Sequence, residues 1–228
     1  MRKRMKKPLD HGMPASSAGQ RFGMSKQGYH HGNLRQALVE ACLLLVREKG
    51  PTGFTLSEAA REAGVTPAAV YRHFQGRADL IAEAARQGYE IFTDVMQFAY
   101  DKGQPSALAA FEATGRAYLA FARKYPGHYI AMFESGISMN RTADLAAASS
   151  RAWRVLETAA SDLVRQIPDS HRPPASMVSA HVWALSHGVV ELFARNSPGS
   201  QSPFEPEDLL ESGIGVYLRG LGLISADR

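Results

Sequence analysis

Apolar residues recur at three- and four-residue spacing in one segment after another, the period of helices that bury one face. Leu34, Ala37, Leu38, Ala41, Leu45 and Val46 outline a first helix, which Lys49-Gly50 and Pro51 stop near residue 49. Leu56, Ala59, Ala60 and Ala63 mark a second, and Val70 with Phe74 a short third. Ile81, Ala84, Ala85, Tyr89, Phe92 and Met96 carry a long fourth helix to about Tyr100, before Gly103-Gln104-Pro105 breaks the chain. Leu108, Phe111, Ala113, Tyr118, Leu119 and Phe121 give a fifth, and Ile130, Met132 and Phe133 a short sixth. Residues 145–167 read as a seventh, with Trp153, Leu156, Leu163 and Val164 apolar. Residues 176–194 are apolar nearly all round, which predicts a helix covered on several sides. A last helix starts at Pro206 and runs through Leu209, Leu210, Ile214, Tyr217, Leu218 and Leu221, with glycines at 213, 215, 220 and 222 that mark close helix approach or fraying. The pattern predicts an all-α protein.

The most informative stretch is residues 55–79. Thr55 and Glu58 stand at capping-box spacing, so a helix starts there. Gly64 follows its last apolar position, where a left-handed cap favours glycine. Thr66 is placed to cap the next helix, and Pro67 suits a first turn that needs no N–H. With Val70 and Phe74 turned inward, Tyr71, Arg72 and His73 face out with donors that suit phosphate. Two short helices crossing at a glycine turn make a helix-turn-helix. The plainer alternative is an αα-corner in a helical enzyme.

At these residues the chain resembles the DNA-binding domain of TetR family transcriptional regulators. The resemblance rests on Gly50, Thr55, Leu56, Ala60, Ala63, Gly64, Val65, Tyr71, His73, Phe74 and Arg77, in register over about a fifth of the chain. It implies a three-helix DNA-binding head over residues 26–76 and a helical ligand-binding and dimerisation body over residues 77–228, joined by the fourth helix. It also implies a homodimer paired through the last two long helices, bound to a pseudo-palindromic double-stranded operator. Ser57, Thr66, Pro67, Ala68 and Ala69 then fall to base reading, beside the capping Thr55. Tyr71, Arg72, His73 and Arg77 fall to the DNA backbone, and Tyr29, His30 and Asn33 add phosphate contacts from the start of the first helix. Trp183, His187 and Gly188 are similar to a Trp-His-Gly motif in the C-terminal domain of one subgroup. Trp183 and His187 share a helical face, either as pocket wall and polar anchor or as packed Trp and hydrogen-bonded His beside a Gly that admits a partner subunit.

Charge sharpens this picture. Residues 1–80 carry 13 Lys/Arg against 6 Asp/Glu, whereas residues 81–228 carry 13 against 16. A basic front on an acidic body suits a nucleic-acid-binding head. Residues 1–25, opening MRKRMKK, have no structural period and read as a disordered basic arm, either adding affinity for DNA or merely solvated. One cysteine, Cys42, lies in an apolar helix pattern, which allows no disulfide within the chain and fits a cytoplasmic protein. No apolar run approaches membrane-span length, so no membrane partner is expected. The adjacent His30 and His31 project differently, with no third ligand near in sequence, so no metal or cofactor is expected. No nucleophile triad, phosphate loop or zinc helix appears, so no catalytic residue is assigned and an enzyme is not expected.

Phe92, Met96, Tyr118, Phe121, Met132, Phe133, Trp153, Met177, His181, Trp183 and His187 supply large or adaptable side chains from several helices of the body. They predict a mostly apolar pocket for a small apolar effector, with a filled core as the alternative. The expected function is a ligand-responsive transcriptional repressor released from its operator by that effector. The alternative is a ligand-independent DNA-packaging or structural protein.

Overall fold

The computed structural model describes residues 34–194 and 202–224, and among these it contains nine α-helices and no strand. The helices are α1 Leu34–Lys49, α2 Leu56–Glu62, α3 Pro67–Val70, α4 Arg77–Gly103, α5 Ala107–Lys124, α6 Pro126–Phe133, α7 Ala143–Val164, α8 Ala175–Val189 and α9 Pro206–Gly220. A π-helical segment, Val190–Ala194, continues α8. The fold class is therefore the all-α one that the apolar period predicts, with a helix-turn-helix head and a helical body. The expected arm at residues 1–25 and the contacts expected of Tyr29, His30 and Asn33 lie outside the described residues.

Helix α4 is the axis. Its 27 residues span roughly 40 Å at 1.5 Å per residue. It packs against α1 at the head end and against α5, α6 and α7 in the body. Leu80 and Ile81 are buried with Val70 and Phe74 of the head, while Phe92 and Met96 are buried in the body. Glycines set how close two neighbours approach. A Cβ on Gly127, at the start of α6, would stand 2.7 Å from the Leu43 carbonyl oxygen of α1. One on Gly88 of α4 would stand 2.6 Å from the Met132 sulfur of α6. Helix α6 is thus pressed against head and axis together.

Several ends differ from the apolar pattern. Helix α4 runs on to Gly103, past the expected end near Tyr100, because polar residues on its exposed side continue the helix after the apolar stripe stops. Helix α7 starts at Ala143 because the Thr142 hydroxyl accepts from the Leu145 N–H, 3.2 Å away. Helix α8 is covered on fewer sides than its composition predicts: Met177 and Leu192, in the π segment beyond it, are about half exposed.

Candidate DNA-reading face and effector cavity

The turn is built by its own side chains. Thr55 and Glu58 form the capping box: the Thr55 N–H donates to Glu58 Oε2 at 2.9 Å, and the Thr55 hydroxyl accepts from the Glu58 N–H at 3.2 Å. Lys49 Nζ meets the other Glu58 oxygen at 2.6 Å, so the box is also tied to the end of α1. The lysine and the two Thr55 bonds hold the Glu58 carboxyl down near 2. Thr55 is exposed, but its hydroxyl is engaged within the head. Gly64 takes φ of 70°, the left-handed cap expected of it. Thr66 takes the N-cap position of α3 without a side-chain bond to that helix, contrary to the expected cap. Its hydroxyl is left for another acceptor or donor.

Ser57, Thr66, Pro67, Ala68, Tyr71, Arg72 and His73 are exposed, and Ala69 is half-buried. Helix α3 itself has only four residues, and Tyr71–His73 continue it as turns. Arg77, expected at the DNA backbone, has its guanidinium engaged within the protein. Its Nη1 donates to the carbonyl oxygens of Thr52 and Phe54, at 2.7 and 3.0 Å, and its guanidinium lies 5.9 Å from the centre of the Phe54 ring. It braces the loop before α2.

The pattern also missed Arg35. Its guanidinium stacks 4.7 Å from the Phe74 ring centre, and its Nη2 meets Glu83 at 3.0 Å. Arg86 and Gln87 bond the same carboxylate. Burial works to raise the Glu83 carboxyl, but the Arg86, Gln87 and Arg35 bonds outweigh it and hold the group near 2. A lone Arg near the start of an apolar helix was the available signal, yet its partner lies on α4.

In the body a cavity of about 790 Å³ opens among α4, α6, α7 and α8. Met132, Phe133, Trp153 and Trp183 line it, as expected, joined by Tyr89, Ile137, Ser138, Met139, Asn140, Ser149, Ser150 and Arg154. The other expected residues lie elsewhere. Phe92, Met96 and Phe121 are buried core, with the Phe92 and Phe121 rings 4.8 Å apart. Tyr118 and His187 stand behind the cavity wall: the Tyr118 and Tyr129 hydroxyls meet His187 Nδ1 at 2.8 and 2.9 Å. Met177 is 51% exposed, and exposed His181 pairs with the Tyr217 hydroxyl of α9 at 3.0 Å; neither lines the cavity. So Trp183 is wall and His187 is hydrogen-bonded support, one half of each reading of that motif. Four of the eight missed residues come from the α6–α7 connection, which carries no apolar period, three from α7 and one, Tyr89, from α4.

That connection also reaches the head. Beyond the cavity-lining Ser138, Met139 and Asn140, Arg141 donates to Asp79 Oδ1 through Nε at 3.1 Å and Nη2 at 2.6 Å. Asp79 is in the first turn of α4. The cavity wall and the head end of α4 are therefore joined through adjacent residues, Asn140 and Arg141, a strap of two intervening residues or fewer from Ser138.

Two family models match the chain. "Bacterial regulatory proteins, tetR family" covers residues 38–84, and "Tetracyclin repressor-like, C-terminal domain" covers residues 111–217, together more than half of the sequence. The chain belongs to the TetR family. It is accordingly a DNA-binding transcriptional regulator. Comparison with curated proteins finds no match. Among solved structures, a protein of unknown function from Rhodococcus sp. RHA1 is 24% identical, with TM-score 0.71 over 86% of this chain and 98% of that one. A tetR family regulatory protein from Rhodococcus RHA1 is 16% identical, with TM-score 0.67 over 85% and 99%. AibR, solved with isovaleryl coenzyme A and operator DNA, is 16% identical, with TM-score 0.61 over 80% and 97%. These likenesses support the fold. Among the described residues of this TetR regulator, no helix is long and apolar enough to cross a membrane, and no three His, Cys, Asp or Glu side chains gather as a metal site.

Proposed function

We propose that this TetR family regulator is a homodimeric repressor that a small, largely apolar molecule releases from a pseudo-palindromic operator. The observation that carries this reading is the strap: one loop lines the cavity and is clamped, through Arg141 and Asp79, to the helix that supports the turn. A molecule seated against Met139 and Asn140 moves that loop, and the loop acts on the head. Helix α6 offers a second route, since it lines the cavity through Met132 and Phe133 and touches α1 at Gly127. A packaging protein has no use for such a connection. The neighbour AibR, captured with an acyl-coenzyme A and operator DNA, supports the same pairing of ligand and operator here.

In this reading Ser57 and Thr66 bond base edges, and Pro67, Ala68 and Ala69 offer apolar contact to thymine methyls. Tyr71, Arg72 and His73 bond phosphates, and Arg77 keeps the loop beneath them in place. Met177, Leu192 and Val216 are each more than half exposed, and a Cβ on Gly188 or Gly220 would meet nothing within 4 Å. This uncovered α8–α9 face supports pairing with a second copy, which would set two heads roughly 34 Å apart, one DNA turn.

Release is demanding: turning a 99:1 binding-competent population to 1:99 needs about 5.5 kcal/mol of differential ligand affinity. By linkage, saturating operator must weaken effector binding by the factor with which effector weakens operator binding. Measuring the affinity of a compound found by thermal-shift screening, with and without operator, tests this. Equal affinities would sink the repressor-release reading for that compound.

A further inference from the structure

The cavity's charge, rather than its size, narrows what it takes. Twelve residues line it, and Arg154 is the one charged residue among them. No Asp or Glu is there to accept a cation. Nor is Arg154 neutralised from outside: among the described residues it makes no ion pair, whereas Arg151, one turn earlier on α7, meets Glu90 at 3.3 Å. The polar groups come from two adjoining segments, which also supply Trp153, Ile137 and Met139. Ser149, Ser150 and Arg154 come from α7, and Ser138 and Asn140 from the loop before it. Facing them are Tyr89 of α4, Phe133 of α6 and Trp183 of α8. An exposed guanidinium that shares the cavity lining with neutral hydrogen-bonding and aromatic groups matches an anion attached to an apolar body. It repels a cationic amphiphile, which would otherwise find the aromatic faces attractive.

We infer that the effector of this cavity is an organic anion, an aryl or acyl body bearing one acidic group that Arg154 holds at the rim. This rests on the regulator reading above and makes its ligand class specific.

The protein carries its own reporter. It has two tryptophans, Trp153 and Trp183, and both line the cavity. Energy transfer from tryptophan to a bound naphthalene dye therefore reports binding to the body, and the Arg154 and Arg151 variants tell the cavity from the surface around it. The probes are 8-anilinonaphthalene-1-sulfonate and N-phenyl-1-naphthylamine, which share a ring system and differ by the sulfonate. Full-length protein is titrated with each. The expected result is tighter binding of the sulfonate by about tenfold or more, the range of one charge-assisted contact that is partly screened. Arg154→Gln should remove that preference and leave the neutral dye unchanged. Arg154→Lys should keep part of it, and Arg151→Gln should keep all of it. Equal binding of the two dyes by the unaltered protein would overturn the inference, as would an Arg154→Gln protein that loses both alike or an Arg151→Gln protein that loses the preference too. If the two dyes bind equally while the operator is still footprinted, the anion reading fails and the regulator reading stands. If neither dye shows energy transfer, the cavity admits no such body, and the effector reading falls with the inference.

Discussion

Tyr71 and Arg77 both end in polar groups beside the turn, yet their surroundings assign them opposite work. Tyr71 is 59% exposed, while Arg77 spends its guanidinium on two backbone carbonyls and the Phe54 ring. Replacing Arg77 with Ala should lower stability by about 1.5–3 kcal/mol, the range for hydrogen bonds to a charged donor, read as a lower urea midpoint. Tyr71→Phe should leave that midpoint in place and weaken all DNA sequences about equally. Arg72→Ala should in addition reduce the salt slope of binding by about 1, because a released counterion is lost with the charge. The sequence assigned all three to the DNA backbone, Tyr71 and Arg72 by their outward spacing and Arg77 by the family resemblance. It could not distinguish them, because the carbonyls that capture Arg77 belong to a loop remote in sequence. Glu83 gives a pH signature for the same reason. Its carboxyl falls from the ordinary 4.5 to about 2 in the folded chain, with burial opposed and outweighed by the Arg86, Gln87 and Arg35 bonds. The unfolded chain therefore binds the extra proton first, and the stability this group supplies is complete above pH 4.5 and is lost as pH falls toward 2. Glu83→Gln should flatten stability against pH over that window, as followed by urea unfolding at stepped pH.

Among the elements, α6 is short but pressed on two sides. Gly127 abuts a backbone oxygen, and Gly88 abuts the end of a flexible thioether. Alanine at Gly127 should therefore destabilise by about 1–3 kcal/mol, since the α1 backbone must move. Alanine at Gly88 should be much milder, because Met132 can rotate and the helix gains about 0.5–1 kcal/mol of propensity. Comparative urea unfolding of the two variants checks the order. The helices themselves were legible because apolar period and caps are local: Thr55, Gly64 and Pro206 mark ends that the fold uses. The cavity was legible only where it borrows from that period, at Met132, Phe133, Trp153 and Trp183. Ser138, Met139 and Asn140 sit in a connection whose conformation depends on packing, and nothing in their spacing announces a wall. Phe92 and Phe121 failed as pocket residues because a large side chain on an apolar stripe fills a core as readily as it bounds a void.

At the scale of the whole molecule, the exposed α8–α9 face is the surface proposed for pairing with a second copy. Val216, on α9, is 61% exposed. Val216→Arg should yield a monomer by sedimentation and lose high-affinity binding to a two-half-site operator, while a single chain keeps its unfolding midpoint. An unchanged dimer mass would remove this face from the interface. Each subunit of such a dimer brings to the operator a reading helix of four residues, continued only by turns. So short a helix has little internal hydrogen bonding to hold its amides against exchange with solvent. Free in solution, residues 66–73 should exchange their amide hydrogens far faster than α1 or α4. On the operator they should slow sharply, and the backbone order gained there opposes binding by about 1–2 kcal/mol per residue fixed. The heat capacity of binding should then be more negative than the rigid contact area alone would give, because DNA completes an element the protein leaves unfinished.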